Sequence, residues 1–274
     1  DVIYEEGEIF VSYTEDRGDD KTSTSIARGF IENDSFSKIE NIFQSGSSWN
    51  NIHWGSRLMF KDGLLYASIG ERGYGSVAQD PTSYFGKMIR INKDGTAPKD
   101  NPYSMNEDWL PEIYQIGLRN PQGIMLYPND SEIYITNHGP RGGDFFGKVE
   151  AGTNYGWADV AWGGIDYDGS IIGDGSAWKE GLLKPIYTWV PSIAVSDMTF
   201  YEGDLFPELK NKILVTSLKA QRLISLEFDG KKARNETTLF EKVGRVRDVE
   251  TNSAGEIYVI IDNEDSGIWK LVNK

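Results

Sequence analysis

Short runs of aliphatic, β-branched and aromatic residues alternate with polar ones along nearly the whole chain, and no stretch holds a helical period beyond a turn or two. Residues 9–13 and 24–28 form a first pair of strand-like runs. Residues 57–60 and 64–67 flank Lys61-Asp62-Gly63, and a further run follows at 87–91. A third group places Pro128-Asn129-Asp130 between residues 124–127 and 133–136. Runs at 197–200, 212–215 and 222–226 make a fourth group, and runs at 247–249, 256–260 and 267–271 a fifth. Asp-Gly, Asn-Asp and Ala-Gly steps between such runs are hairpin chemistry. Meanders of about 40–50 residues recurring in the same internal order predict the blades of a β-propeller, and the recurrence favours this over a β-sandwich. The expected fold is all-β, with residues 1–274 in a single propeller domain.

Composition narrows the picture. Thirty glycines and eight tryptophans suit tight turns and large residues between blades. The chain has no cysteine, which excludes disulfides and thiolate metal sites and leaves the compartment open. With 28 basic and 42 acidic side chains the net charge is −14, which argues against nucleic acid or an anionic membrane as partner. No segment approaches the ~20 consecutive apolar residues of a membrane span, so membrane insertion is not expected. The chain opens at Asp1-Val2-Ile3-Tyr4, already strand-like, and a natural N-terminal segment is expected to precede it.

Candidate chemistry gathers at strand ends. Histidine occurs only at His53 and His138. A free imidazole titrates near pH ~6.5 and can act as a base, while a structural role is the alternative for His53 and the preferred reading for His138, which precedes a Gly-Pro turn. Arg119-Asn120 and Gly139-Pro140 flank the third hairpin on the same side, offering a guanidinium, an amide and turn carbonyls to an anion and a hard cation; the bland alternative is turn punctuation. Arg245 and Arg247, two apart on an extended run, share a face, and either an anionic ligand or an internal carboxylate would lie between them. Lys219 follows the strand at 213–217. Asp166 and Asp168 could ligate a structural calcium or simply sit in a solvated turn. Trp54 and Trp189 are read either as walls of a ligand site or as packing residues.

Arg119-Asn120-Pro121-Gln122-Gly123, followed by His138-Gly139-Pro140-Arg141-Gly142-Gly143-Asp144, resembles the soluble aldose sugar dehydrogenases that use pyrroloquinoline quinone, within the broader glucose/sorbosone dehydrogenases. The resemblance continues in the family's order through His53-Trp54-Gly55-Ser56-Arg57-Leu58, Ala78-Gln79-Asp80, Gly86-Lys87-Met88-Ile89-Arg90-Ile91-Asn92, Asn154-Tyr155-Gly156-Trp157, Ser217-Leu218-Lys219 and Gly244-Arg245-Val246-Arg247-Asp248-Val249. It therefore covers nearly the whole chain. It implies a six-bladed β-propeller of four-stranded antiparallel blades. The residues give five units, so an N-terminal blade, with a glutamine that contacts the quinone in the family, is expected to be absent from residues 1–274.

The same resemblance implies an oxidoreductase that oxidises an aldose at its anomeric carbon to the lactone, with hydride passing to pyrroloquinoline quinone assisted by calcium. His53 matches the base that removes the anomeric hydroxyl proton. Arg119 and Asn120 match residues holding the quinone and the oxidised centre; Lys219, Arg245 and Arg247 match those binding the cofactor carboxylates. Gly139 and Pro140 match the residues whose carbonyls hold the calcium. Asn137 and Phe145 stand where acidic residues are common, changes that spare carbonyl ligands but alter local charge. The implied partners are a small sugar and an external electron acceptor, and the implied location is periplasmic or secreted. Two other readings use the same fold: a non-catalytic propeller that binds a sugar or a protein, and a calcium-dependent lactone hydrolase. The latter needs carboxylates on the metal, whereas the matched set is basic.

Overall fold

The computed structural model describes residues 1–272. It divides into two compact units: Asp1–Pro121, Val149–Ala161 and Ile172–Leu183 form the first, and Gln122–Lys148, Trp162–Ile171 and Lys184–Lys274 the second. In the first unit, β1 (Val2–Glu5), β2 (Glu8–Asp16), β3 (Thr22–Glu32) and β4 (Ser35–Gln44) make one antiparallel sheet. A second sheet holds β5 (Gly55–Lys61), β6 (Leu64–Ile69), β7 (Lys87–Ile91) and β8 (Ile113–Gln115). The third sheet runs from β9 (Pro121–Tyr127) through β10 (Glu132–Asn137) and β11 (Asp144–Lys148) to β12 (Tyr187–Trp189). The fourth comprises β13 (Val195–Tyr201), β14 (Lys212–Ser217), β15 (Arg222–Phe228) and β16 (Ala233–Glu241). The fifth comprises β17 (Arg245–Thr251), β18 (Ile257–Asp262) and β19 (Gly267–Lys270).

The chain is thus all-β and built from small antiparallel sheets of propeller-blade type. Five sheets, not the family's six, occur among the described residues, as the five units in the sequence imply, and the uniformly four-stranded expectation is corrected, because the last sheet has three strands. Each sheet uses one meander of the sequence, and residues 1–272 contain only five such meanders. The third hairpin forms as expected, with Ser131 N–H closing on the Tyr127 carbonyl at 2.8 Å.

Period-two patterning explains which faces pack. In β18, Ile257, Val259 and Ile261 are buried while Tyr258, Ile260 and Asp262 face outward. The buried set joins Tyr201, Leu214, Leu223, Val246 and Val249 in one core cluster. A second cluster in the same unit centres on Tyr127, whose ring meets Tyr134, Phe200 and Phe228 at centroid distances of 4.9–5.9 Å. Phe10, Ile26, Leu58, Leu65, Ile69 and Ile89 belong to the core of the first unit. The β5–β6 hairpin closes on Asp62 and Gly63, with φ +54° and +75°, the left-handed pair a tight two-residue turn requires.

One irregularity recurs. The first strands of the second, fourth and fifth sheets each carry one extra residue near their start: between Gly55 and Leu58, Val195 and Met198, and Val246 and Asp248. A bulge of this kind removes a carbonyl from the ladder and re-aims the side chains around it. In each case a hydroxyl on another sheet of the same unit accepts the task of satisfying that carbonyl. Ser12 Oγ donates to Ser56 O, Thr136 Oγ1 to Ser196 O, and Ser196 Oγ to Arg247 O, all at 2.5 Å. The next N–H is handled alike: Arg57 donates to Ser68 Oγ at 3.0 Å and Asp197 to Thr216 Oγ1 at 2.9 Å.

Candidate active site

In the first unit, His53 lies in the loop between β4 and β5 with φ +52°, and its Nδ1 is hydrogen-bonded to the carboxylate of Glu71. Glu71 follows β6. Its side chain is 2% exposed, against 17% for His53. The second carboxylate oxygen accepts the Gly75 N–H at 2.5 Å, and the Glu71 N–H donates to the Arg119 carbonyl at 2.9 Å. Burial pushes the Glu71 carboxyl up, but hydrogen bonds from His53 and Gly75 and the charges of His53 and Arg119 outweigh it and hold the group below its ordinary range. An ionised carboxylate only accepts, so Nδ1 holds a proton in either charge state of the ring, and in the neutral ring Nε2 is the nitrogen with the lone pair.

Arg119 and Asn120 stand at the same place in that unit. Arg119 is 6% exposed, and its guanidinium lies 5.4 Å from the Trp157 ring centroid. Asn120 Oδ1 accepts the Gly55 N–H at 3.1 Å. Gly70 permits this close approach: a Cβ there would meet the His53 carbonyl oxygen at 2.0 Å and Asn120 Oδ1 at 3.0 Å. Two of the sequence's matched motifs meet here as well. Gln79 and Asn154 pair through their amides at 2.7 and 3.2 Å, and Gln79 Nε2 donates to the Trp157 carbonyl at 2.6 Å. The buried indole N–H groups of Trp54 and Trp157 have no hydrogen-bond partner among the described residues.

In the second unit, Gly139 and Pro140 lie in the turn between β10 and β11 and are buried. Asp144 anchors that turn: Oδ1 accepts the Gly139 N–H at 2.8 Å and Oδ2 the Val195 N–H at 3.1 Å. Burial raises the Asp144 carboxyl above its ordinary value despite these bonds. A Cβ on Gly139 would meet Gly143 C at 2.4 Å, so only glycine fits. His138 is tied through Nε2 to the Val195 carbonyl, in keeping with a structural role. Trp189 is core, donating its indole N–H to Glu236 at 2.8 Å. Asp166 and Asp168 cap their own turn, accepting the N–H groups of Tyr167 and Ser170 at 2.7 and 2.9 Å.

Lys219 is exposed and makes no ion pair among the described residues. Arg245 and Arg247 converge on one carboxylate, Asp262 Oδ2, at 3.4 and 2.8 Å. Arg245 sits directly opposite Asp262 across the β17–β18 pair, and the bulge at Arg247 interrupts the simple alternation expected of the two arginines. Arg247 first, against the opposing effect of burial, lowers the Asp262 pKa, and Arg245 adds to this. Glu71 and Asp262 are the partners that sequence reasoning missed. It also missed a group formed by Asp197, Asp248 and Glu250, whose carboxylate oxygens lie within 4.8 Å of one another.

The set of small antiparallel sheets and the sequence together define the class: residues 3–270 match the glucose/sorbosone dehydrogenase model, and the chain belongs to that family. It is 33% identical over 270 residues to the aldose sugar dehydrogenase YliI of Escherichia coli (strain K12), covering 96% of this chain and 72% of that protein. It is 31% identical over 184 residues to quinoprotein glucose dehydrogenase B of Acinetobacter calcoaceticus, covering 59% of this chain but 38% of that one. A crystal structure of a glucose dehydrogenase superposes with a TM-score of 0.94 at 29% identity, covering all of this chain and 82% of the other. Among the described residues no helix is long and apolar enough to cross a membrane.

Proposed function

We propose that this chain carries the aldose-oxidising centre of a pyrroloquinoline quinone- and calcium-dependent dehydrogenase that converts the C1–OH of an aldose to the lactone. The observation that carries the reading is the His53–Glu71 pair, in which a buried carboxylate fixes the imidazole by Nδ1 and leaves Nε2 as the base. His53 takes the hydroxyl proton, and the C1 hydrogen leaves with its electron pair. When bound, the quinone supplies the hydride acceptor and calcium the Lewis acid that favours its reduction. Arg119 and Asn120 orient the reacting oxygens. An electron acceptor outside this chain completes the cycle, and the reading places the protein in the periplasm or outside the cell.

The residues present suit both groups. The buried Pro140 carbonyl accepts no hydrogen bond among the described residues, and Asp144 fixes the adjoining Gly139, so the turn offers hard oxygen ligands to calcium. Lys219, Arg245 and Arg247 would hold the quinone carboxylates. Asp262 accepts one N–H from each arginine, and other guanidinium donors are open to a bidentate anion. Asp262 also favours a second reading, in which the two arginines only brace the β17–β18 pair and the protein is a non-catalytic binding propeller. Titrating pyrroloquinoline quinone with calcium into the longest natural product, and then assaying aldose oxidation with an artificial acceptor, separates them. Saturable binding and turnover lost in His53→Ala support the dehydrogenase; absence of quinone binding supports the second reading.

A further inference from the structure

We infer that Arg72 is a positioning residue for His53, clamping the main chain just before it and lying against the Trp54 ring just after it, while its neighbour Glu71 holds the imidazole. Arg72 has no exposed surface. Its Nε donates to the Ile52 carbonyl at 2.9 Å, and its Nη2 donates to the Asn50 carbonyl and, at 2.7 Å, to Thr22 Oγ1. Its guanidinium carbon lies 5.0 Å from the Trp54 ring centroid. Ile52 and Trp54 are the two chain neighbours of His53. The consecutive pair Glu71-Arg72 therefore grips one loop at two levels. Both ends of the clamp are bent: Arg72 has φ +59° and His53 φ +52°, conformations that uncommitted non-glycine residues seldom keep.

Packing alone does not account for an arginine here. A buried guanidinium is costly, and among the described residues Arg72 has no carboxylate partner; its charge rests on carbonyls, a hydroxyl and an indole face. A hydrophobe of similar volume fills such a space with less penalty. What it cannot supply is a rigid fork of donors reaching two carbonyls of the loop while its plane lies against the next residue's ring. Lysine, a point charge on a flexible stem, cannot do so either. The clamp fixes where Nε2 of His53 points, and a proton transfer is sensitive to that: a displacement of about 1 Å costs on the order of 10²-fold in rate.

This inference rests on the proposal that His53 is the base, and its test keeps the two apart. The chain has two histidines, so ¹⁵N-imidazole NMR of the full protein shows two ring systems, with His138 as internal control. In Arg72→Lys and Arg72→Met the His53 signals are expected to shift or broaden while those of His138 hold. With saturating quinone and calcium, kcat is expected to fall about 10- to 100-fold, with the sugar KM and quinone affinity within about threefold of the parent. Unchanged His53 signals and kcat in a folded variant overturn the clamp and leave the base assignment standing. Parental turnover in His53→Ala overturns the base assignment, and the NMR result still decides whether Arg72 positions the ring. If neither Arg72 variant folds, Thr22→Val, which removes one acceptor from the clamp, carries the test: a smaller shift confined to His53 supports it, and an unchanged spectrum overturns it.

Discussion

Glu71→Gln is the sharpest probe of the candidate active site. The carboxylate accepts two hydrogen bonds, from Gly75 N–H at 2.5 Å and from His53 Nδ1. An amide has one oxygen and one NH₂. The backbone N–H of Gly75 can only donate, so the amide oxygen must turn to it, and the NH₂ then faces His53. That makes Nδ1 the acceptor and moves the imidazole proton to Nε2, the nitrogen required as the base. The substitution is nearly isosteric yet selects the wrong tautomer. Replacing a carboxylate by an amide behind a catalytic histidine costs up to about 10⁴ in kcat, and loss of general-base assistance about 10²–10⁴. We expect a fall in kcat of that order with quinone affinity unchanged, measured at saturating sugar, quinone and calcium. Retention of kcat within about threefold of the parent would refute the reasoning. The pH dependence has a definite sign. Because the folded carboxyl is held below its ordinary 4.5, its contribution to stability is fully present above that pH and is lost as pH falls through the lower folded value. Thermal unfolding between pH 3 and 6 should show this acid limb in the parent and a weaker one in Glu71→Gln.

Gly70→Ala should destabilise the first unit by about 2–4 kcal/mol, since the new methyl meets the His53 backbone and cannot be accommodated by a side-chain swing; an unchanged denaturation midpoint would contradict the described approach. Asp144→Ala removes the acceptor of two backbone N–H groups, about 1–3 kcal/mol each if they stay buried and unpaired, and should weaken calcium binding by calorimetry; parental stability and calcium affinity would remove Asp144 as the anchor. Arg245→Ala or Arg247→Ala should weaken quinone binding by roughly 1.5–3 kcal/mol, or one to two decades in Kd. Their effect on the melting temperature should be small, because the pairs with Asp262 are about half exposed and screened; lowered stability with unchanged quinone affinity would favour the bracing role.

The strands most legible in the sequence are β18, whose burial alternates, and β6, β10 and β14, which are buried over nearly their whole length and read as short continuous β-rich runs. Strand β16 was hidden because it has no buried residue, and β4 because only Phe43 is buried, so their polar surfaces carry almost no period-two signal. Strands β8 and β12 are three residues long and fall below any pattern. At the site, His53, Arg119 and Asn120 were legible as residues, but their partner was not. Glu71 is eighteen positions from His53 and sits in Gly70-Glu71-Arg72-Gly73-Tyr74-Gly75, which reads as turn punctuation. Two charged residues enclosed by glycines directly after a buried strand were the available hint. Asp262 was recoverable from hairpin register alone, given that Arg245 lies opposite it.

The hydroxyl contacts at the strand bulges also bear on how blades can be exchanged. Ser12, Thr136 and Ser196 each secure a carbonyl that belongs to a different sheet, so donor and acceptor are encoded in separate meanders. A chimera that imports one blade from a relative keeps its own ladder but inherits a foreign latch. Its success then depends less on overall sequence similarity than on whether a serine or threonine arrives opposite a matching bulge. Cassettes cut so that each donor travels with its acceptor should assemble, whereas those cut between them should leave an unsatisfied carbonyl at every seam.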